Sequence, residues 1–388
     1  MKKCQLVTTS LFLVAAAAQA EPNPLAFPLT PPAIDAASWV LMDATTGQVL
    51  TQGNADERRN PASLTKLMTG YVVDRAIDSK RITRDDIVTV GKDAWTAGNA
   101  EFQGSSLMFL KPGEKVSVRD LSRGVIIDSG NDACVALADY VAGSQSAFVQ
   151  QMNQYVQKLG LTNTHFETVH GLDAPGQYSS AGDLAKLSRA IIYGEPDFYQ
   201  MYSEKSLTWN GITQQNRNGL LWDKTLHVDG LKTGHTETAG FNIIASSVDG
   251  QRRLIAVIMG GKSAKGREEQ ARKLLIWGQN NFDTIQLFHA GKEIGHENVW
   301  YGNPHQVAVG SDKDVYLALP RDAVKRIKAK YVIDSKDLQA PLKLHQQVGT
   351  IQLVDGDKPV ASYPLVTLNE VAQAGIITRI KDYFSRKF

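Results

Sequence analysis

A chain of 388 residues is long enough for two or three domains and a core of full size. Its 43% hydrophobic and 21% charged residues are those of an ordinary globular protein. With a formal net charge of +2 and no basic block before the extreme C-terminus, nucleic acid is excluded as a partner.

The chain begins with a processing segment. Lys2 and Lys3 precede an apolar run over residues 6–18, and Ala18-Gln19-Ala20 is an A-x-A cleavage signature, so residues 1–20 read as a signal peptide. The run is too short to span a bilayer and gives way to polar, Pro-rich residues. Cys4 stands ahead of it rather than at the cleavage point, which argues against lipoprotein attachment. Cleavage leaves Cys134 as the single cysteine of an exported chain, so stability must come from the core rather than from a disulfide. Cys134 lies among Ala133, Val135, Ala136 and Leu137 and reads as a small buried hydrophobe.

After a Pro-rich linker, residues 38–43 and 48–52 read as two strands around the loop Ala44-Thr45-Thr46-Gly47, a hairpin. Residues 62–77 read as a helix behind Pro61, with Leu64, Leu67, Met68, Tyr71 and Val72 on one buried stripe. Ser63, Lys66 and Gly70 fall on another face, where Gly70 allows close approach by a neighbour. Ser117 with Asp120 forms the start of a helix to about residue 128. Ser129-Gly130-Asn131 breaks it, and an apolar helix resumes over residues 132–141. Helices follow at 145–159 and 180–193, stopped by Gly160 and Gly194. The period then changes to that of strands at 231–236, 241–247 and 254–259, the last two joined through Asp249-Gly250. A helix at 264–280 closes the region.

This pattern predicts an α/β (α+β) first domain: a sheet assembled from N-terminal and C-terminal strands, with an all-helical insertion. Beyond residue 282 short β-patterned runs recur with turns between them, the texture of a small all-β domain. The expected units are residues 1–20, 21–282, 283–366 and 367–388. In the last, Ile376, Ile377, Ile380, Tyr383, Phe384 and Phe388 share one helical face, beside Arg379, Lys381, Arg386 and Lys387. An amphipathic, basic, aromatic-edged terminal helix reads as a membrane-surface anchor. The alternative is a helix docked on its own domain.

The chemistry is carried by three short motifs. Ser63-x-x-Lys66 places a hydroxyl at a helix N-terminus, near unpaired N–H groups, with an amine one turn on. Burial would lower the lysine's pKa enough to make it a base. Ser129-Gly130-Asn131 sits at a helix break, where a hydroxyl and an amide can both face a cleft. Lys232-Thr233-Gly234 lies on a strand, where Gly234 lets a ligand backbone approach. Each triplet alone is weak. In this order and on these element types they are the signature of penicillin-binding proteins and class A β-lactamases.

With these motifs the chain resembles the low-molecular-mass penicillin-binding proteins that act as serine-type D-alanyl-D-alanine carboxypeptidases, the group of penicillin-binding proteins 5, 6 and 6b. The supporting stretches are residues 60–70, 128–132, 168–173, 215–220 and 230–236, and the resemblance runs through the second domain and terminal helix. It implies a penicillin-binding/serine β-lactamase-like fold. It further implies that Ser63 attacks the carbonyl between two terminal D-alanines of a peptidoglycan stem peptide. Lys66 would take the proton, Ser129 would relay it to the leaving nitrogen, and Asn131 would hold the substrate amide. Lys232 would supply positive charge, Thr233 would hydrogen-bond the substrate carboxylate, and the N–H groups of Ser63 and of the strand near His235 would form the oxyanion hole. Arg217 and Arg267 match arginines near the family's cleft, with surface ion pairing as their alternative role. His170 is a lesser candidate. The resemblance implies β-lactam antibiotics as acylating ligands, no cofactor or metal, and a place at the periplasmic face of the bacterial inner membrane.

Three rivals stand beside this reading, one of them a transpeptidase, in which the acyl-enzyme passes to an amine instead of water. A class A β-lactamase carries Ser-Asp-Asn where this chain has Ser129-Gly130-Asn131, and needs an E-x-x-L-N glutamate that this sequence lacks. A non-catalytic wall-binding module would keep the fold without the chemistry, yet every expected side chain is present.

Overall fold

The computed structural model describes residues 29–95, 102–335 and 337–387. The expected signal peptide therefore lies outside the described residues, as does Phe388.

The first domain is built on a five-stranded antiparallel sheet of order β2-β1-β9-β8-β7. β1 (Ser38–Asp43) and β2 (Val49–Gly53) form the expected N-terminal hairpin. β7 (His227–Thr236), β8 (Gly240–Asp249) and β9 (Arg252–Gly261) come from the other end of the domain, and β9 pairs with β1. The period of two decides what each face covers. On β9, Leu254, Ala256 and Ile258 pack with Ala271, Leu274 and Leu275 of α7 (Ala264–Asn281). Ile255, Val257 and Met259 face the larger core that contains the helical insertion.

That insertion holds α1 (Lys66–Asp78), α2 (Val118–Arg123), α3 (Asn131–Ala142), α4 (Gln145–Lys158), α5 (Ala181–Ile192) and the short α6 (Pro196–Gln200). Ser117 caps α2 by accepting from the Asp120 N–H at 3.0 Å, as its sequence signature implies. The helix then widens into a π-helical turn over Gly124–Asp128, and Ser129 follows at φ +61°. π-turns and left-handed non-glycine residues concentrate at functional sites.

Four short strands went unread in the sequence. β3 (Ile87–Thr89) pairs with β4 (Lys115–Ser117), and β5 (Ser206–Trp209) with β6 (Ile212–Gln215). The second pair turns through Asn210 at φ +49° and Gly211 at φ +78°, an Asn-Gly hairpin whose signal stands plainly in the chain.

The second domain is all β. β10 (Phe282–Phe288) pairs with β14 (Val315–Pro320). Around them β11 (Glu293–Trp300), β13 (Gln306–Gly310), β15 (Ile327–Ile333), β16 (Leu338–Gln339), β17 (Gln347–Asp355) and β18 (Lys358–Thr367) make a six-stranded sheet. β12 (Gly302–Asn303) pairs with β19 (Ala372–Gln373). Val371 is buried in this domain's core, so the domain runs past the expected boundary at residue 366, and α8 (Ile376–Lys387) starts only at Ile376.

α8 meets its own domain through polar groups. Asp382 accepts from the Tyr301 N–H at 2.8 Å, and Arg386 pairs with Asp337 at 2.9 Å. Ile376, Ile377, Ile380, Tyr383 and Phe384 are all more than half exposed. No helix among the described residues is long and apolar enough to cross a membrane.

Candidate active site

The expected helix around Ser63 begins as a 3-10 turn over Ala62–Thr65 and becomes α-helical at Lys66. Ala62 is held at φ +50°, its N–H donating to Asn60 Oδ1 at 2.9 Å. Gly171, itself at φ +92°, is pressed against the Ala62 carbonyl so closely that a Cβ would overlap it. The chain thus enters the Ser63 turn in one fixed conformation.

Lys66 is 1% exposed, and its ammonium reaches three oxygens: Ser63 Oγ at 3.0 Å, Asn131 Oδ1 at 2.7 Å and the His170 carbonyl at 2.5 Å. Burial lowers its pKa from 10.5 to about 8; the Arg217 cation adds to the fall, while Cys134 and Asp132 oppose it. Lys232 is 3% exposed and pushed well below the usual lysine range by burial first, then by Lys66, Arg217 and Arg267. Its ammonium donates to the Thr233 carbonyl at 3.3 Å.

Ser63, Ser129, Asn131, Arg217, Thr233, Gly234, His235 and Arg267 all line one cleft of about 450 Å³. Lys66 and Lys232 lie behind its wall. Asn131 opens α3 and donates from Nδ2 to Ser105 Oγ at 2.9 Å while its Oδ1 accepts from Lys66. Arg217 donates to Ser106 Oγ at 2.6 Å. Arg267 is buried, donates to the Gly234 carbonyl at 3.1 Å and stands over the Phe241 ring, and burial lowers its pKa to about 10. His235 is exposed and stacks on the same ring at 4.0 Å.

Two residues behave differently from the sequence reading. The close approach at Gly234 is by protein: a Cβ there would lie 3.0 Å from the Pro61 carbonyl and 3.1 Å from the Ser63 nitrogen. Strand β7 is thereby seated against the Ser63 turn. His170 contributes its carbonyl to Lys66, while its ring is buried, accepts from the Leu172 N–H at 3.2 Å and packs edge-on against Phe102. Burial and Lys66 drop the ring's pKa to about 3.

Several supports carried no signal in the sequence. Asn242 on β8 donates to the Pro61 carbonyl at 3.2 Å and accepts from the Gly260 N–H at 2.8 Å, tying the sheet to the approach to Ser63. Asp132 accepts from the N–H groups of Met108 and Leu110 at 2.9 and 3.0 Å and pins the loop that carries Ser105 and Ser106. Cys134 is fully buried behind the lysines, and burial raises its thiol pKa to about 11. Among the described residues no group of three or more His, Cys, Asp or Glu side chains is placed to hold a metal ion.

This geometry fits nucleophilic attack by Ser63 on a substrate that carries an anion. A hydroxyl touches a buried amine of lowered pKa, and four cations crowd one cleft and depress one another.

Comparison with known proteins agrees over the whole chain. Residues 26–263 match the family model described as D-alanyl-D-alanine carboxypeptidase, and residues 282–373 match that of the penicillin-binding protein 5 C-terminal domain. The D-alanyl-D-alanine carboxypeptidase DacD of Salmonella typhimurium (strain LT2) is 66% identical over 387 residues, covering 100% of this chain and 99% of the relative. The crystal structure of penicillin binding protein 6B from Escherichia coli is 66% identical, with TM-score 0.77 over 88% of this chain and 98% of that one. Penicillin binding protein 5 from Haemophilus influenzae is 48% identical, with TM-score 0.86 over 89% of this chain and 100% of that one.

Proposed function

The chain belongs to the D-alanyl-D-alanine carboxypeptidase family, and from that premise we propose that it removes the terminal D-alanine of peptidoglycan stem peptides through an acyl-enzyme on Ser63. The observation that carries this reading is the 3.0 Å contact between Ser63 Oγ and the buried Lys66 ammonium, whose pKa lies near 8. A neutral Lys66 takes the Ser63 proton as Oγ adds to the carbonyl between the two D-alanines. The oxyanion is held by the N–H groups of Ser63 and His235. As the carbon–nitrogen bond breaks, Ser129 passes a proton to the departing D-alanine, and water then hydrolyses the ester.

The free C-terminal carboxylate distinguishes a carboxypeptidase substrate. Among the described residues Lys232, Arg217 and Arg267 have no carboxylate ion-pair partner, and the substrate carboxylate supplies that counter-charge, with Thr233 as a hydroxyl donor beside them. An anion there offsets the burial and the neighbouring cations that lower the Lys232 pKa. Asn131 orients Lys66 and keeps one amide hydrogen for the substrate. A β-lactam enters the same site as an acylating analogue. The exposed apolar face of α8 supports reading it as a membrane-surface anchor, and with export by the N-terminal signal the enzyme would work at the periplasmic side of the inner membrane.

The test is release of D-alanine from a pentapeptide ending in D-Ala-D-Ala, with penicillin hydrolysis followed in parallel. Wild type should release D-alanine and Ser63→Ala should not. Rapid penicillin turnover without peptide cleavage would instead favour a β-lactamase, and neither activity would leave a non-catalytic module.

A further inference from the structure

Among the described residues, those lining the cleft include two arginines and a single carboxylate, Glu237. Glu237 follows directly on the strand that bears Lys232-Thr233-Gly234, in the turn between β7 and β8. Glu237 is exposed at the cleft rim, and its side chain has no hydrogen-bond or ion-pair partner among the described residues.

The turn around it is fixed. Thr236 Oγ1 accepts from the Ala239 N–H at 3.2 Å. Thr238 donates to Asp173 at 2.8 Å and accepts from Asn60 at 2.9 Å, and Asn60 also donates to Asp173. The other nearby carboxylate, Asp173, is therefore engaged in holding the rim together. Glu237 is left on a fixed turn with its carboxylate unpaired among the described residues.

β7 is the edge of its sheet, and an extended peptide can lie along it. Glu237 is four residues beyond Thr233, about 13 Å along a strand. From a peptide's terminal carboxylate, two residues back is about 7 Å in an extended chain. Side chains stand off the strand axis, so the remaining gap of about 6 Å along β7 is closed by a four-carbon amine side chain and the glutamate side chain leaning toward each other. A substrate whose carboxylate sits at Thr233 thus brings a side-chain ammonium, if its third-last residue has one, within reach of Glu237.

We propose that Glu237 is a specificity-determining residue that reads a free ammonium on the residue preceding the D-Ala-D-Ala pair. The inference rests on the carboxypeptidase reading above and deepens it. The cleft is then polarised, with cations for the terminal carboxylate and one anion for an ammonium-bearing side chain upstream. An exposed charge pair contributes modestly, so the expected preference is about fivefold in kcat/KM, carried mainly by KM.

The experiment compares two tripeptides ending in D-Ala-D-Ala, both with the α-amine acetylated, one with a free lysine ε-amine at the third-last position and one with that ε-amine acetylated too. Each is assayed with wild type, Glu237→Gln and Glu237→Lys, and labelling by fluorescent penicillin reports that each variant is folded. Wild type should prefer the free amine about fivefold, Glu237→Gln should bring the ratio near one, and Glu237→Lys should invert it. A wild-type ratio of one, or a preference that survives in both variants, overturns the inference. If wild type cleaves neither peptide and binds no penicillin, the carboxypeptidase reading itself fails, a different outcome from equal cleavage of both.

Discussion

The cleft and the C-terminal helix break the same rule in opposite directions. In the cleft, Lys66 and Lys232 are almost wholly buried, although an ammonium removed from water loses several kcal/mol of solvation. At the other end of the molecule Ile376 and Ile377 are 74% and 75% exposed, on a helix whose polar residues Asp382 and Arg386 hold it to its domain. An ordinary surface helix turns its apolar stripe inward. Both exceptions leave the protein alone in an unfavourable state, and the direction of each indicates what relieves it. Buried cations await an anion and a reacting carbonyl. On the anchor reading proposed above, the exposed isoleucines and aromatics would enter an apolar phase, at about 25 cal/mol for each Å² they bury.

The largest effect that can break this contrast is on Lys66. Lys66→Ala should lower the rate of acylation about 10³-fold or more, since general-base catalysis supplies about 10²–10⁴. In wild type the same rate should rise about tenfold per pH unit up to about 8, where Lys66 loses its proton, and level off above. A rate flat between pH 6 and 10 would exclude Lys66 as the base.

Next in size is the helix. Ile377→Glu with Phe384→Glu removes two of its largest exposed apolar groups, each worth about 1.5–3 kcal/mol when buried. Binding to anionic vesicles in a sedimentation assay should weaken about 10²-fold or more, with D-alanine release retained. Unchanged sedimentation would mean that the helix only docks on its own domain.

The smallest effect concerns Asp128, which is 1% exposed, has a buried Oδ1 with no hydrogen-bond partner, and directly precedes Ser129. Burial, then the Asp132 charge, raises its pKa from 3.8 to about 7. Between those values the folded chain holds a proton that the unfolded chain has lost, so stability falls as pH rises through that window. Asp128→Asn lacks this penalty, so it should raise the melting temperature by a few degrees at pH 8 and by less at pH 4. An equal gain at both pH values would count against a buried, costly carboxylate.

Much of the cleft could be read from the chain because its side chains come as local triplets. Ser63 and Lys66 are one turn apart, Ser129 and Asn131 flank a helix break, and Thr233 to His235 share a strand. The strand pattern likewise gave the sheet that joins the chain's two ends in one domain. What stayed hidden depends on distant contacts. Asn242 reaches Pro61 across 181 residues, and no period or motif marks such a pair. Gly234 looked like room for a ligand because sequence shows that a backbone can come close, not whose it is. The Lys66 partner at His170 is a carbonyl, which every residue has. The Asn210-Gly211 turn is marked in the chain, but the short polar strands it joins lack a strong apolar alternation.

The identity of Ser63 as nucleophile is tested most directly by intact-mass and peptide-mapping measurements after brief exposure to penicillin. Wild type should gain the mass of one penicillin on the peptide containing Ser63, and Ser63→Ala should gain none. An adduct on Ser129, or equal labelling of Ser63→Ala, would contradict the assignment.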